Sequence, residues 1–486
     1  MIPARRWTFR LLAVLLGLVV VVALEWACYL AGWGDPETRD DPFVGFTEVT
    51  PLFEKYDDRY EIVPSRLKFF APESFAAEKS EKEFRIFILG GSTVQGRPYS
   101  LETSFGTWLE LALNSIDDPR DWEVVNCGGL SYASYRLVPI LEECLSHEPD
   151  LIVLCTAHNE FLEDRSYEHI KPHNKVEELT FNVAARSRLF HLFRHGINRF
   201  RGSEDEESNV PQLKGEVDAI LDYNDSLRAY RRDDDWRQGI VEHYRYNLRR
   251  MITLCAEHGV PVMLIRPPVN LADTPPFKSE PSETLPDSEK EQLLQLLAVA
   301  REYYRDDLSK SVDALEEAVA IDPRFALVWY ELGQCYLTRN EAAAARKAFQ
   351  HALNEDLCPL RMVSVVDAAL QSVAKQTGTP LIDVYSLLES KTRSEILDAE
   401  WLADLVHPTN AGHQEIARQL FQKLQMEGFV SGQIASDNEA VWREHLKSQD
   451  YQYFHKGMET LKSQQRRAKG REDGPPPTHP FPHRIT

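Results

Sequence analysis

Five short apolar runs constrain the fold of this chain more than any other feature. They are Phe84–Leu89, Trp122–Val125, Leu151–Cys155, Val260–Ile265 and Pro380–Val384. Each has the length of a strand, and none alternates strictly between polar and apolar positions. Such strands bury both sides, which is the habit of parallel sheets covered on both faces. Helix-length segments lie between them. Ser104–Leu113 sets Phe105, Trp108, Leu109 and Ala112 on one helical face, and a further helix is predicted near Tyr135–Leu145. The last two runs follow turns containing His258-Gly259 and Thr377-Gly378. Strand and helix in alternation predict a three-layer α/β/α sandwich around a parallel sheet of about five strands.

Composition narrows the function. A 43% hydrophobic content over 486 residues supports real cores and excludes global disorder. A formal net charge of −21 argues against a nucleic-acid binder, which would carry a basic face. Seven cysteines with no Cys-x-x-Cys spacing suggest neither a zinc site nor a disulfide scaffold. Neither a metal nor an organic cofactor is implied.

Arg5, Arg6 and Arg10 precede the apolar stretch Leu11–Leu24, which continues past Glu25 to Trp33. With Glu25 near the interface and Trp26 and Trp33 as interfacial anchors, residues 1–34 are predicted to form an uncleaved membrane anchor. A cleaved signal peptide is the alternative. The basic residues keep the N-terminus cytoplasmic, so the rest of the chain is expected outside the cytoplasm, in the periplasm or beyond. Residues 35–82 read as a lead-in. The first part of the α/β domain spans 83–290 and contains a long charged excursion over 164–240. Residues 291–358 form a helical insertion, 359–430 complete the domain, and 431–486 comprise a polar helix and a basic, proline-rich, disordered tail. Within the insertion, Trp329-x2-Leu332-Gly333-x2-Tyr336, Ala345-x3-Phe349 and Ala352 fit the tetratricopeptide pattern. A step of one repeat back lands on Leu315, Ala318 and Pro323, a degraded copy. Two copies are too few for a peptide-binding solenoid, so packing against the host domain is the expected use and partner binding the alternative.

The first apolar run ends in Gly90-Gly91-Ser92-Thr93. Glycines permit a sharp turn, and Ser92 is presented at the carboxyl edge of the sheet, where open α/β sheets bind ligands. A Walker loop is excluded, because Gly91-x4-Gly96 is followed by Arg97-Pro98 rather than Lys-Ser/Thr. A serine nucleophile needs a base and oxyanion donors. Asp404-Leu-Val-His407 offers an oriented base ahead of a helix that Thr409 can cap. Asn159, in Ala157-His-Asn-Glu160, follows the third run and offers an amide donor. Asn126-Cys-Gly-Gly-Leu-Ser131 follows the second and offers a backbone N–H, as does Ser92 itself.

These four blocks, in this order, resemble the SGNH or GDSL-type hydrolase superfamily over roughly 84–163, 244–270 and 360–424. The resemblance implies Ser92 as nucleophile, His407 as base, Asp404 as its orienting acid, and Asn159 and Ser131 as oxyanion donors. Three positions depart from the pattern. Gly-Gly-Ser replaces Gly-Asp-Ser. Ser131 stands where a glycine is usual, so Gly128 or Gly129 is an alternative donor. Ala157 replaces the glycine of Gly-x-Asn, which is tolerable unless the backbone there needs a positive φ. With an anchor and tetratricopeptide-like helices, the chain also resembles a group of bacterial membrane-tethered proteins. The activity so implied is that of an outward-facing ester hydrolase acting through a Ser92 acyl-enzyme. Its substrate would be an acylated small molecule or glycan, with acetyl groups of a cell-envelope glycan removed or transferred. The rival expectation is a degenerate scaffold that binds a protein partner through its helices.

Overall fold

A computed structural model describes residues 41–167, 210–222, 226–431 and 436–470, with a few more between 16 and 31 and between 188 and 192. The chain divides into two compact units, residues 1–48 with 165–214, and residues 49–164 with 215–486. In the first, Gly45–Phe46 pairs in parallel with Gln212–Leu213. The predicted anchor over 1–34 lies largely outside the described residues, as do most of 168–209 and the whole tail 471–486. No helix among the described residues is long and apolar enough to cross a membrane.

The second unit is built on a sheet of five strands: β1 (Glu83–Gly90), β2 (Asp121–Gly128), β3 (Leu151–Cys155), β4 (Val262–Arg266) and β5 (Leu381–Asp383). Their order is β5-β4-β3-β1-β2 and every pairing is parallel. The apolar runs thus form the sheet, with Ile86 to Leu89 and Leu151 to Val153 fully buried. Of the strand ends that differ from the sequence reading, those of β2 and β5 have a plain cause. β2 runs on through Asn126-Cys127-Gly128 because Gly90 of β1 pairs with Gly128. β5 is shorter, since the Asp383 side chain caps the next helix by accepting the Ser386 N–H.

Among the described residues, seven helices flank the sheet in two groups. On one side α3 (Ser134–Leu145), α4 (Asp234–Glu257) and α9 (Ser364–Thr377) pack together. On the other lie α2 (Phe105–Leu113), α10 (Val384–Lys391), α11 (Asn410–Met426) and α12 (Ser436–Ser448). α4 begins at Asp234, inside the expected excursion, because Asp233 caps it by accepting the Trp236 N–H.

The helical insertion starts slightly earlier than expected. It comprises α5 (Asp287–Tyr303), α6 (Leu308–Ile321), α7 (Ala326–Thr338) and α8 (Ala342–Glu355), each packed on the next. Leu293, Leu297, Leu315, Val328 and Leu332 form its core. It is tied to the α/β domain. Tyr330 donates to the Ala272 carbonyl at 2.9 Å, Arg324 makes a bidentate pair with Asp234, and Arg232 pairs with Glu355.

The lead-in is more ordered than its composition suggests. Phe53–Tyr56, Arg59–Ile62 and Ser74–Ala76 form an antiparallel sheet that Phe75 packs against Phe87 of β1, with ring centroids 5.3 Å apart. At the other end, α12 and α13 (Tyr451–Gly470) replace the single predicted C-terminal helix. Trp442 donates to the Trp108 carbonyl at 2.9 Å, and the Tyr453 hydroxyl lies 2.7 Å from Thr103 Oγ1.

Candidate active site

Ser92 opens a single helical turn, α1 (Ser92–Gln95), directly after β1. Two glycines make this geometry reachable. A Cβ on Gly90 would lie 2.2 Å from the Cys155 carbonyl oxygen, and one on Gly91 would lie 2.6 Å from Asn159 Nδ2. The Gly91 carbonyl accepts the N–H groups of Val94 and Gln95, which closes the turn. As the first residue of the turn, Ser92 has no intrahelical acceptor for its own N–H.

His407 and Asp404, the base and acid expected from the sequence, lie on the loop before α11. Asp404 Oδ1 accepts the N–H of Val406 at 3.0 Å and of His407 at 2.9 Å. Those two bonds set the loop so that Asp404 Oδ2 lies 2.7 Å from His407 Nδ1, while His407 Nε2 lies 2.7 Å from Ser92 Oγ. The loop closes on itself through an Ala403 N–H to His407 carbonyl bond and an antiparallel bridge between Leu402 and Pro408. Thr409 then caps α11 by accepting the Gly412 N–H, as the sequence suggested. Ser92, His407 and Asp404, 315 residues apart at the extremes, therefore form one hydrogen-bonded chain.

Burial by itself would raise the Asp404 carboxyl. The His407 charge and the bonds from His407 and Val406 outweigh it and hold the group below the ordinary carboxylate range. An ionised Asp404 requires a proton on His407 Nδ1, which leaves Nε2 as the acceptor facing the serine.

Asn159 stands across the turn from Ser92. Its Nδ2 donates one hydrogen to the Tyr132 carbonyl at 2.9 Å and keeps the second beside Gly91. The loop after β2 distinguishes among the three backbone donors that sequence left open. The Gly128 N–H goes to Asn126 Oδ1 at 3.0 Å, and the Gly129 N–H goes to the Gly90 carbonyl at 2.9 Å. Ser131 adopts φ 65°, the left-handed conformation a glycine would take there, and its N–H has no partner among the described residues. The lead-in buttresses this loop, since the Phe69 carbonyl accepts both the Leu130 N–H and Gln95 Nε2.

Ala157 carries a cost that the sequence reading made conditional. Its φ is 130°, so an alanine at this position sits on strained backbone, worth about 1–3 kcal/mol. The residues after β3 are held firmly enough to sustain it. Glu160 accepts the Ser134 N–H and hydroxyl at 2.9 Å each, and Glu163 takes Arg136 bidentately.

Two supporting residues were not singled out from the sequence. Asn270, past the end of β4, donates its amide to the Asp404 carbonyl at 3.2 Å, and its N–H goes to the Leu405 carbonyl. Arg361, buried, donates to the Asn270 carbonyl at 2.7 Å and to the Thr274 carbonyl at 2.9 Å. The available signal was position: Asn270 is one more polar residue just beyond the carboxyl end of a parallel strand.

No family model and no curated relative matches the chain. Among solved structures it is similar to a lipase/acylhydrolase from Enterococcus faecalis, at 12% identity and a TM-score of 0.31, covering 73% of this chain and 99% of that one. It is similar to an acetylxylan esterase from Geobacillus stearothermophilus, at 12% identity and a TM-score of 0.31, covering 72% and 96%. It is also similar to an alpha/beta hydrolase enzyme from the metagenome of Lake Arreo, at 13% identity and a TM-score of 0.31, covering 70% and 94%.

Proposed function

We propose that this protein is a serine ester hydrolase that works through an acyl-enzyme on Ser92. The observation that carries this reading is the continuous chain Ser92 Oγ to His407 Nε2 to His407 Nδ1 to Asp404 Oδ2, with 2.7 Å at both hydrogen bonds. As Ser92 Oγ attacks the ester carbonyl carbon, His407 Nε2 takes the hydroxyl proton and Asp404 steadies the imidazolium. The carbonyl oxygen becomes an oxyanion, received by the spare Asn159 amide hydrogen and the N–H groups of Ser92 and Ser131. Collapse breaks the bond to the alcohol oxygen, which leaves with the proton from His407. Water repeats the sequence in reverse and frees the acid. An acceptor hydroxyl in place of water would make the protein an acyltransferase.

The order of the four sequence blocks favours an ester as the substrate. The basic, then apolar, N-terminal sequence supports an anchored enzyme facing away from the cytoplasm, and from that location an acetylated cell-envelope glycan is the substrate class. The experiment is labelling of the full chain with a fluorophosphonate probe beside Ser92→Ala and His407→Ala. Wild type is expected to label and both variants to remain blank. A folded wild type that does not label would turn attention to the scaffold reading and the helices over 287–355.

A further inference from the structure

The segment between β4 and the helical insertion, residues 270–275, is fastened on two sides. On one side its donors reach 397–405, the stretch that leads into the catalytic loop. The Asn270 N–H goes to the Leu405 carbonyl at 3.1 Å, and the Asn270 amide donates to the Asp404 carbonyl at 3.2 Å. The N–H groups of Leu271 and Ala272 share the Leu397 carbonyl, at 3.0 and 3.1 Å.

On the other side its carbonyls are taken by the insertion and by Arg361, just past the insertion's end. The Ala272 carbonyl accepts the Tyr330 hydroxyl at 2.9 Å and also Gln334 Nε2. Tyr330 and Gln334 stand four residues apart and so share one face of α7. The opposite face, with Val328, Leu332 and Cys335, fills the insertion's own core. A carbonyl oxygen has two lone pairs, and both of Ala272's are therefore used by that one helix face.

The 272–273 peptide group carries this contact through to the triad. Its carbonyl faces Tyr330 and Gln334, and its N–H, that of Asp273, donates to Asn270 Oδ1 at 3.0 Å. The same Asn270 amide holds the Asp404 carbonyl. A planar peptide group and a planar amide thus join α7 of the insertion to the backbone of Asp404.

We propose that Tyr330 and Gln334 of the helical insertion are positioning residues for the triad. They fix the 272–273 peptide, which fixes the Asn270 amide, which sets the Asp404 backbone so that Oδ2 meets His407 Nδ1. This rests on the ester-hydrolase reading. It deepens that reading by making the insertion a part of the catalytic apparatus rather than a separate binding module. Small displacements of an orienting group are costly: about 1 Å can cost about a hundredfold in rate.

The test uses the full chain carrying Tyr330→Phe and Gln334→Met together. Both substitutions keep the bulk of the side chain, including the Tyr330 ring beside Phe349, and remove only the polar groups that reach Ala272. On a chromogenic acetate ester, kcat should fall about tenfold with KM little changed. Placed in Asp404→Asn, where the base already holds the wrong tautomer, the same pair should change the residual rate by less than about threefold. A double variant with kcat within about threefold of wild type would overturn the inference alone, as would an equal loss in both backgrounds, which marks a general loosening of the fold. If the double variant unfolds, each single variant, which leaves one donor on the carbonyl, is judged by the same two readouts. A folded wild type that neither hydrolyses the ester nor labels with fluorophosphonate would overturn the hydrolase reading and this inference with it.

Discussion

Asp404→Asn isolates the part of the site that orients the base. In the wild type Asp404 Oδ1 is already taken by two backbone N–H donors, from Val406 at 3.0 Å and His407 at 2.9 Å, and Oδ2 faces His407 Nδ1. An asparagine amide can keep its oxygen on the two N–H groups only by turning its NH2 toward His407. The opposite orientation would strand two buried N–H donors against an NH2 group, at about 1–3 kcal/mol each. Even at a total of about 2 kcal/mol, only about 3% of molecules would be turned that way. The NH2 then donates to His407 Nδ1, the imidazole proton moves to Nε2, and the ring can no longer accept the proton of Ser92 Oγ. The same tautomer error in a well-studied serine triad costs about 10,000-fold in kcat, or about 5.5 kcal/mol. We therefore expect Asp404→Asn to fold normally and to lose about four orders of magnitude in kcat on a chromogenic acetate ester near pH 7. Fluorophosphonate labelling of Ser92 should slow in parallel. A loss smaller than tenfold, with the circular dichroism and urea midpoint of the wild type, would refute the assignment of Asp404 as the orienting acid.

Three further expectations concern the same loops and the buried imidazoles. Asn159→Ala should cost about 2.7–4 kcal/mol of transition-state stabilisation, seen mainly in kcat. Gly91→Ala should act in the same direction because its Cβ would sit 2.6 Å from Asn159 Nδ2, and a fully active Gly91→Ala would contradict that packing. His158 and His413, both buried, have pKa values pushed down to about 3, below the ordinary value of about 6.5. As pH falls from 7 to 5 the unfolded chain binds these protons and the folded one does not, so each ring removes roughly 2 kcal/mol of stability. Glu73 and Asp356, raised by burial to about 7 and about 6, act in the opposite sense, so the informative quantity is the difference from a variant. Urea unfolding of His413→Gln at both pH values should show roughly 2 kcal/mol less acid destabilisation than wild type. Identical pH dependence in the two proteins would count against a neutral His413.

Much of this architecture was legible because it is local. The five apolar runs are strands because a residue's neighbours at short range settle whether both faces of a strand are apolar, and the sheet follows. Ser92, Asn159 and the Asp404–His407 pair could be picked out for the same reason: each lies just past an apolar run or just before a capped helix, at the edge where such sheets bind ligands. The lead-in was not legible, because its strands Phe53–Tyr56 and Arg59–Ile62 are largely exposed and charged, and they are stabilised by pairing and by Phe75 rather than by pattern. Nor could the sequence choose among Gly128, Gly129 and Ser131 as donors. That choice depends on which N–H groups are consumed by Asn126 and by the Gly90 carbonyl across the sheet. The strain at Ala157 and the brace from Asn270 and Arg361 are likewise tertiary. They depend on residues distant in sequence, such as Asn270 and Asp404 or His158 and Met362, being held within hydrogen-bond reach. The sequence by itself therefore determined the strands, the helices between them and the residues offered at their ends. The tertiary structure decided which hydrogen bonds those residues still have free, because a donor's availability is set by everything packed around it.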